Sequence, residues 1–309
     1  MCVLFSCSFF SACVKSNMPV NNNNPIPTSI YKLVTSASNL TLLDSSMSRA
    51  GLDSLFSNTG PYTFFVATDQ AWANAGLSDS VVRLFSDSQL NKIILYSALN
   101  GSISSSQMPV GPNSPVTTLS GDSVFITNNS SGIFVNGIGL TAADIEATNG
   151  LVDAVNLELL PPAGTLIQLI QSDTLFSFFS AAIIRTSSGQ TDVNQILQTG
   201  HIFTIFLPTN DAFRMAGYTT VDSVNNADPD SLAQVLTYHI VPGRIFTSDF
   251  ITTPTIHPIY VADSLTLGVL GGVIYTVQGS GNVVALPLGQ SNIMAHNGVI
   301  QIIGQLLLP

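Results

Sequence analysis

Four histidines and three cysteines are the residues of this 309-residue chain best suited to metal, acid–base or thiol chemistry. His201, His239, His257 and His296 share no ligand spacing with one another or with an acid, since neither H-x-x-x-H nor H-E-x-x-H occurs. There is no G-x-S-x-G elbow and no phosphate loop, and "NGIGLTAAD" lacks the third glycine and the strand-to-helix setting of a dinucleotide site. Among the many serines no spacing selects a Ser-His-Asp set. The expectation is a protein with no catalytic residue, no metal and no cofactor.

One histidine stands in a context that recurs. "VLTYHIVPGRI", Val235 to Ile245, and "IILYSALNGSI", Ile93 to Ile103, share Tyr, Gly and Ile at the same spacing, with His239 in one copy and Ser97 in the other. Leu232, Val235, Leu236, His239 and Ile240 fall at i, i+3, i+4, i+7 and i+8, which is one face of a helix. Leu90, Ile93, Ile94, Ser97 and Ala98 do the same in the earlier copy, and Pro242-Gly243 and Asn100-Gly101 break the two helices. A lone histidine on an apolar face reads first as a hydrogen-bonded core residue. The other reading makes Tyr238, His239 and Tyr96 a partner-binding region, with the second half the likelier binder.

The elements around this pair are duplicated as well. "TFFVATDQAWANAG", Thr63 to Gly76, matches "TIFLPTNDAFRMAG", Thr204 to Gly217, and "ATNGLVDAVNLELLP", Ala147 to Pro161, matches "AHNGVIQIIGQLLLP", Ala295 to Pro309. The runs "YTFFVA" and "IFTIFLP" read as buried strands. Thr68-Asp69 and Thr209-Asn210 supply oxygens to cap a following helix, which Gly76 and Gly217 end. Trp72, at the position of Phe213, is expected in the core. Between the second and third blocks lie strand-like pieces such as "DSVFIT", "GIFVNG", "SLTLGVL" and "VIYTVQ". Helices followed by strands in each half predict two α+β domains.

These three ordered blocks, each seen twice, resemble the fasciclin domain family. Its signature T-x-F-A-P-T-N-x-A-F is similar to "TIFLPTNDAF" and more loosely to "TFFVATDQAW", its central Tyr-His pair to Tyr238-His239, and its closing N-G-x-x-x-x-I-D-x-x-L-x-P to "NGVIQIIGQLLLP" and "NGLVDAVNLELLP". Ala67, Trp72 and Ser97 depart from the pattern, so the first domain is the more divergent copy. The resemblance implies a wedge-like β-sandwich with a helical layer, adhesion or matrix contact, and no general catalytic activity or cofactor. The expected boundaries are residues 28–161 and 162–309.

Composition narrows the partner. Only 8% of residues are charged and the net charge is −10, which repels nucleic acid and anionic lipid and leaves a surface rich in hydroxyls and amides. All three cysteines lie within the first 13 residues, so the body holds no disulfide framework. The opening apolar run of about 12 residues is too short to span a bilayer and suits a signal peptide. It ends in Ser11-Ala12 before Cys13, as in a bacterial lipoprotein signal, in which residues 1–13 would end at a lipidated Cys13. An ordinary secretory signal is the alternative. Residues 14–27, with Asn21 to Asn24, Pro25 and Pro27, read as a tether. The expected protein is therefore anchored by lipid in the cell envelope, at the outer membrane or cell surface, or else secreted. Its expected partners are extracellular or envelope protein or polysaccharide, with a glycan-binding accessory lipoprotein of an uptake or degradation system as the alternative.

Overall fold

The computed structural model describes residues 28–259, 263–284 and 286–309; the expected signal peptide, Cys13 and the tether lie outside these described residues. The first half begins with helices α1 (Ile30–Ser36), α2 (Thr41–Arg49) and α3 (Asp53–Asn58), strand β1 (Tyr62–Ala67), and helices α4 (Asp69–Asn74), α5 (Asp79–Val82) and α6 (Asp87–Tyr96). Strands β2 (Ala98–Asn100), β3 (Gly111–Thr117), β4 (Ser123–Asn129), β5 (Gly132–Val135), β6 (Ile138–Ala147) and β7 (Gly150–Val155) complete it. The second half repeats the order with α7 (Leu166–Ser172), α8 (Ser177–Thr186), α9 (Val193–Gln198), β8 (Phe203–Pro208), α10 (Asn210–Met215), α11 (Val221–Asn225) and α12 (Pro229–Tyr238). Its strands are β9 (Ile240–Pro242), β10 (Thr255–Ile256), β11 (Leu265–Leu270), β12 (Ile274–Gly279), β13 (Leu286–Pro287), β14 (Ile293–Ala295) and β15 (Gly298–Ile303).

Local chemistry explains the shared start of each half. The Thr68 and Thr209 hydroxyls accept the amides of Ala71 and Ala212 at 3.2 and 3.4 Å, capping α4 and α10. β1 then lies between β7, parallel to it, and β2, antiparallel to it, and β8 lies likewise between β15 and β9. The parallel pairing is tight at its first residue. A Cβ on Gly150 would sit 1.9 Å from the Tyr62 carbonyl, and one on Gly298 would sit 2.0 Å from that of Phe203. The preceding asparagines tie the sheet to the first helix, because Asn149 Oδ1 accepts Ile30 N–H and Asn297 Oδ1 accepts Leu166 N–H, both at 2.8 Å.

The halves differ in how the remaining strands close. In the first, all seven strands form one sheet in the order β2-β1-β7-β6-β5-β4-β3, with two register shifts along β6. In the second, β14-β15-β8-β9 and β10-β11-β12-β13 are separate sheets. One core there lies under the helices around Phe179, Phe213 and Ile300, and a second lies between the sheets around Phe206, Tyr238 and Leu307. Trp72 and Phe213 are both fully buried.

The periodicity carried α6 and α12 through Ala98 and Ile240, but both helices stop earlier, at Tyr96 and Tyr238. Ser97 and His239 are the C-caps, and the next residues enter strands: Ala98 pairs with Phe64 and Ile240 with Ile205. The same apolar residue serves either period, and the ladder on β1 and β8 wins.

Candidate functional site

His239 is fully buried with both ring nitrogens engaged by backbone. Nδ1 lies 2.7 Å from the Val235 carbonyl one turn back, and Nε2 lies 2.9 Å from the amide of Leu307, beyond β15. A carbonyl can only accept and an amide only donate, so Nδ1 carries the proton and Nε2 is the acceptor. Burial holds the imidazole neutral by lowering its pKa to about 4, against the smaller upward pull of the Val235 bond. No lone pair or N–H remains for a substrate. The adjacent tyrosines play matching parts in both domains. The Tyr238 hydroxyl donates to the Ser264 carbonyl and accepts the Ser280 amide, and the Tyr96 hydroxyl donates to the Ser123 carbonyl and accepts from Asn136 Nδ2. Each ties the end of its helix to the distant strands, and burial raises the Tyr96 pKa.

In the first domain Ser97 replaces His239, and the gap is met by a residue that sequence reasoning passed over. Glu158 aligns with Leu306, is buried, and receives the Ser97 hydroxyl on Oε1 at 3.3 Å. Burial raises its carboxyl to about 8, partly countered by the Ser97 bond. The available signal was the lone acid in "NLELLP", set against "GQLLLP" in the other copy.

A second matched set lies nearby. Asp144 and Asn292 align, and both adopt left-handed backbone, at φ 60° and 58°. The Asp144 amide donates to Asp153 Oδ1 at 2.8 Å, as the Asn292 amide donates to Gln301 Oε1 at 2.9 Å. Asp144 and Asn292 in turn accept the amides of Ser105 and Thr247. The copies differ at the far atom of the buried side chain on the neighbouring strand. Gln301 Nε2 donates to the Ile245 carbonyl at 2.9 Å, whereas the corresponding Asp153 Oδ2 is buried without a partner. Burial raises the Asp153 pKa to about 6; the Asp144 amide pulls it down and the Asp144 charge adds to the rise.

The Fasciclin domain profile matches residues 38–161 and 176–309. The chain belongs to the fasciclin family. It is 26% identical over 254 residues to transforming growth factor-beta-induced protein ig-h3 of Oryctolagus cuniculus, covering 81% of this chain and 35% of that one. Periostin of Homo sapiens is 28% identical over 257 residues, with 81% of this chain and 28% of periostin aligned. This chain thus spans about a third of the length of those relatives. A solved FAS1 domain pair from the insect cell adhesion molecule Fasciclin I aligns over 90% of this chain and 96% of its own, at 15% identity and a TM-score of 0.42.

The two fasciclin domains meet along β3 and β4 of the first and the segment after β9 of the second. Asn113 Nδ2 donates to the Arg244 carbonyl at 2.9 Å and to Asp249 Oδ2 at 2.8 Å. The Arg244 guanidinium lies 4.5 Å above the Phe125 ring, and Phe125 packs 6.1 Å from Phe246. Arg244 Nη2 donates to the His296 carbonyl at 2.9 Å, while its Nε and Nη1 are buried without a partner. Burial raises the Asp249 pKa, with the bond from Asn113 the largest opposing influence. Asn113, Phe125, Phe246 and Asp249 stand in no sequence motif that marks them as junction residues. Among the described residues there is no group of histidine, cysteine or acid able to hold a metal ion.

Proposed function

We propose that this fasciclin-domain pair is a non-catalytic surface-interaction protein whose partner is another protein, held at the cell envelope through Cys13. The surface supports a protein partner over a polysaccharide. Every Phe, Tyr and Trp side chain among the described residues is buried or partly buried, so none of these rings stands exposed as a stacking platform for a sugar. The exposed large apolar side chains are all aliphatic. Three of them cluster where β11 turns into β12: Leu270, Val273 and Ile274 are 54%, 76% and 48% exposed around Gly271-Gly272. Exposed aliphatic groups at a hairpin tip are the kind of feature that contact with a protein surface covers.

The Tyr-His block supports the fold in this reading and does not contact the partner, since Tyr238, His239 and Tyr96 are all fully buried. The hydrogen bonds of Tyr238 and His239 hold the domain from which the hairpin projects.

The test immobilises residues 25–309 and screens them against a glycan array and an extract of envelope and matrix proteins. Specific protein capture that drops at least several-fold in a Val273→Asp, Ile274→Asp variant of unchanged Tm supports the proposal. Glycan binding untouched by that variant moves the protein to the accessory glycan-binding role. Turnover of a generic ester or glycoside with no partner captured removes the proposal altogether.

A further inference from the structure

The linker between the domains, with residues on both sides of it, encloses a cleft of about 190 Å³. Ile138, Leu157 and Leu160 of the first domain and Leu169, Ile293 and Met294 of the second give it mainly apolar walls. Glu158 lines it as well, although the residue is only 4% exposed. Among the described residues, the carboxyl has one hydrogen-bond partner, Ser97, at 3.3 Å. The remaining polar lining groups, Asn74, Asn136, Gln290, Ser291 and Asn292, are uncharged, so Glu158 is the sole ionisable residue among the described residues of the lining.

The second domain shows that the fold itself does not require this carboxyl. There the aligned residue is Leu306, and the place of the Ser97 hydroxyl is taken by an imidazole whose two nitrogens are satisfied by backbone. The first domain therefore keeps an ionisable group, with one long hydrogen bond, against an apolar cleft. A buried carboxyl in such surroundings is stabilised most by a cation that also brings N–H donors.

We propose that the interdomain cleft binds a small primary amine, its ammonium on the Glu158 carboxylate and its hydrocarbon body against the apolar walls. A cavity of about 150 Å³ holds benzene, so a body of about six to eight carbons fits the space. Anions find no cationic side chain in the lining, and an alcohol gains the apolar contact without the charge pair. The proton balance is defined. The free Glu158 is a neutral acid at pH 7, because burial outweighs the Ser97 hydroxyl, the other influence on it. A bound ammonium converts it to carboxylate, so the carboxyl O–H breaks and one proton passes to the buffer.

The experiment is calorimetric titration of the full chain with n-hexylamine, hexan-1-ol and hexanoate at pH 7, in two buffers of different ionisation enthalpy. The expected result is hexylamine binding with release of close to one proton, falling toward none above pH 8. Hexan-1-ol should bind roughly tenfold more weakly and hexanoate not at all. Glu158→Gln, which keeps the shape and a group for Ser97, should lose hexylamine binding by at least about tenfold with its near-ultraviolet circular dichroism unchanged. Ala163→Phe, at an exposed linker position facing the cleft, should obstruct binding independently and decides the matter if the Gln variant misfolds. No hexylamine binding, equal binding in the folded variant, absence of proton release, or hexanoate binding as tight as hexylamine would overturn the proposal. None of these outcomes depends on whether the hairpin tip meets a protein partner.

Discussion

The Nε2 atom of His239 accepts the backbone N–H of Leu307 at 2.9 Å, across 68 residues of chain. Through Nδ1 the same ring holds the last turn of α12, so one neutral imidazole fastens a helix end to the segment that follows the final strand. The first domain meets the same need with a different pair, Ser97 and Glu158. One fold thus carries two chemistries at equivalent places, and each copy is a control for the other.

Replacing His239 by Ala removes both bonds, strands the Leu307 amide in the core and leaves a cavity. The expected cost is about 2–4 kcal/mol, read as a lowered denaturant midpoint of the second domain. His239→Ser should cost nearly as much, and adding Leu306→Glu should recover part of the loss by rebuilding the pair of the first domain. A double-mutant cycle showing no coupling between those two changes would refute the equivalence.

His239 and Glu158 should make the stability of their domains respond to pH in opposite directions. The folded His239 pKa of about 4 lies below its ordinary 6.5, so the unfolded chain binds the proton more readily. Its contribution is intact above pH 6.5 and is lost as pH falls toward 4. Glu158 is the reverse case. Its folded pKa of about 8 lies above its ordinary 4.5, so its contribution is complete below pH 4.5 and is lost as pH rises through 8. Each slope is limited to about 1.4 kcal/mol per pH unit for one proton. Urea unfolding from pH 4 to 9 measures both, and Glu158→Gln should flatten the alkaline limb alone.

Asp153→Asn should stabilise the first domain at pH 8 by about 1–3 kcal/mol. The amide replaces a buried carboxylate oxygen that has no partner, as Gln301 does in the other copy, and removes a group whose folded pKa of about 6 lies above its ordinary 3.8. The gain should shrink as pH falls below 6, where Asp153 is already protonated. A variant less stable than the parent at pH 8 contradicts this account.

Asn113→Asp should loosen the domain junction. It exchanges the donor that bridges to Asp249 for a second carboxylate, leaving two acceptors face to face at the site of the 2.8 Å bond. The expected sign is a larger radius of gyration in solution scattering, together with separation of one calorimetric transition into two. An unchanged radius would show that the Phe125, Phe246 and Arg244 contacts suffice to hold the pair.

Cys13→Ser tests the anchor. In a bacterial host that processes lipoproteins, the parent should partition with membranes and the variant should appear in the soluble fraction, on blots of the two fractions. Equal partitioning would leave secretion as the reading.

Much of the fold was legible because its signals are local. Thr68 and Thr209 cap helices three residues on, Asn149-Gly150 and Asn297-Gly298 open their strands, and the duplication of whole blocks set two domains side by side in the chain. Periodicity failed where two patterns overlap. Ile240 completes a helical stripe and also pairs with Ile205, and only the neighbouring strand decides between them.

The chemistry of the candidate sites was less legible, since it depends on partners far apart in sequence. His239 was visible as a histidine on an apolar stripe, but its tautomer is fixed by an amide 68 residues away and its neutrality by burial. Glu158 looked like one acid in an apolar run until burial beside Ser97, 61 residues earlier, shifted its protonation. Asn113 and Asp249 lie 136 residues apart and meet only because the two domains dock. The sequence by itself determined the duplication, the element types and the absence of catalytic spacing, because those follow from neighbours within a turn or a strand. Tertiary structure alone decided which polar groups are desolvated and what they face, because desolvation and long-range pairing exist only once the chain has closed on itself.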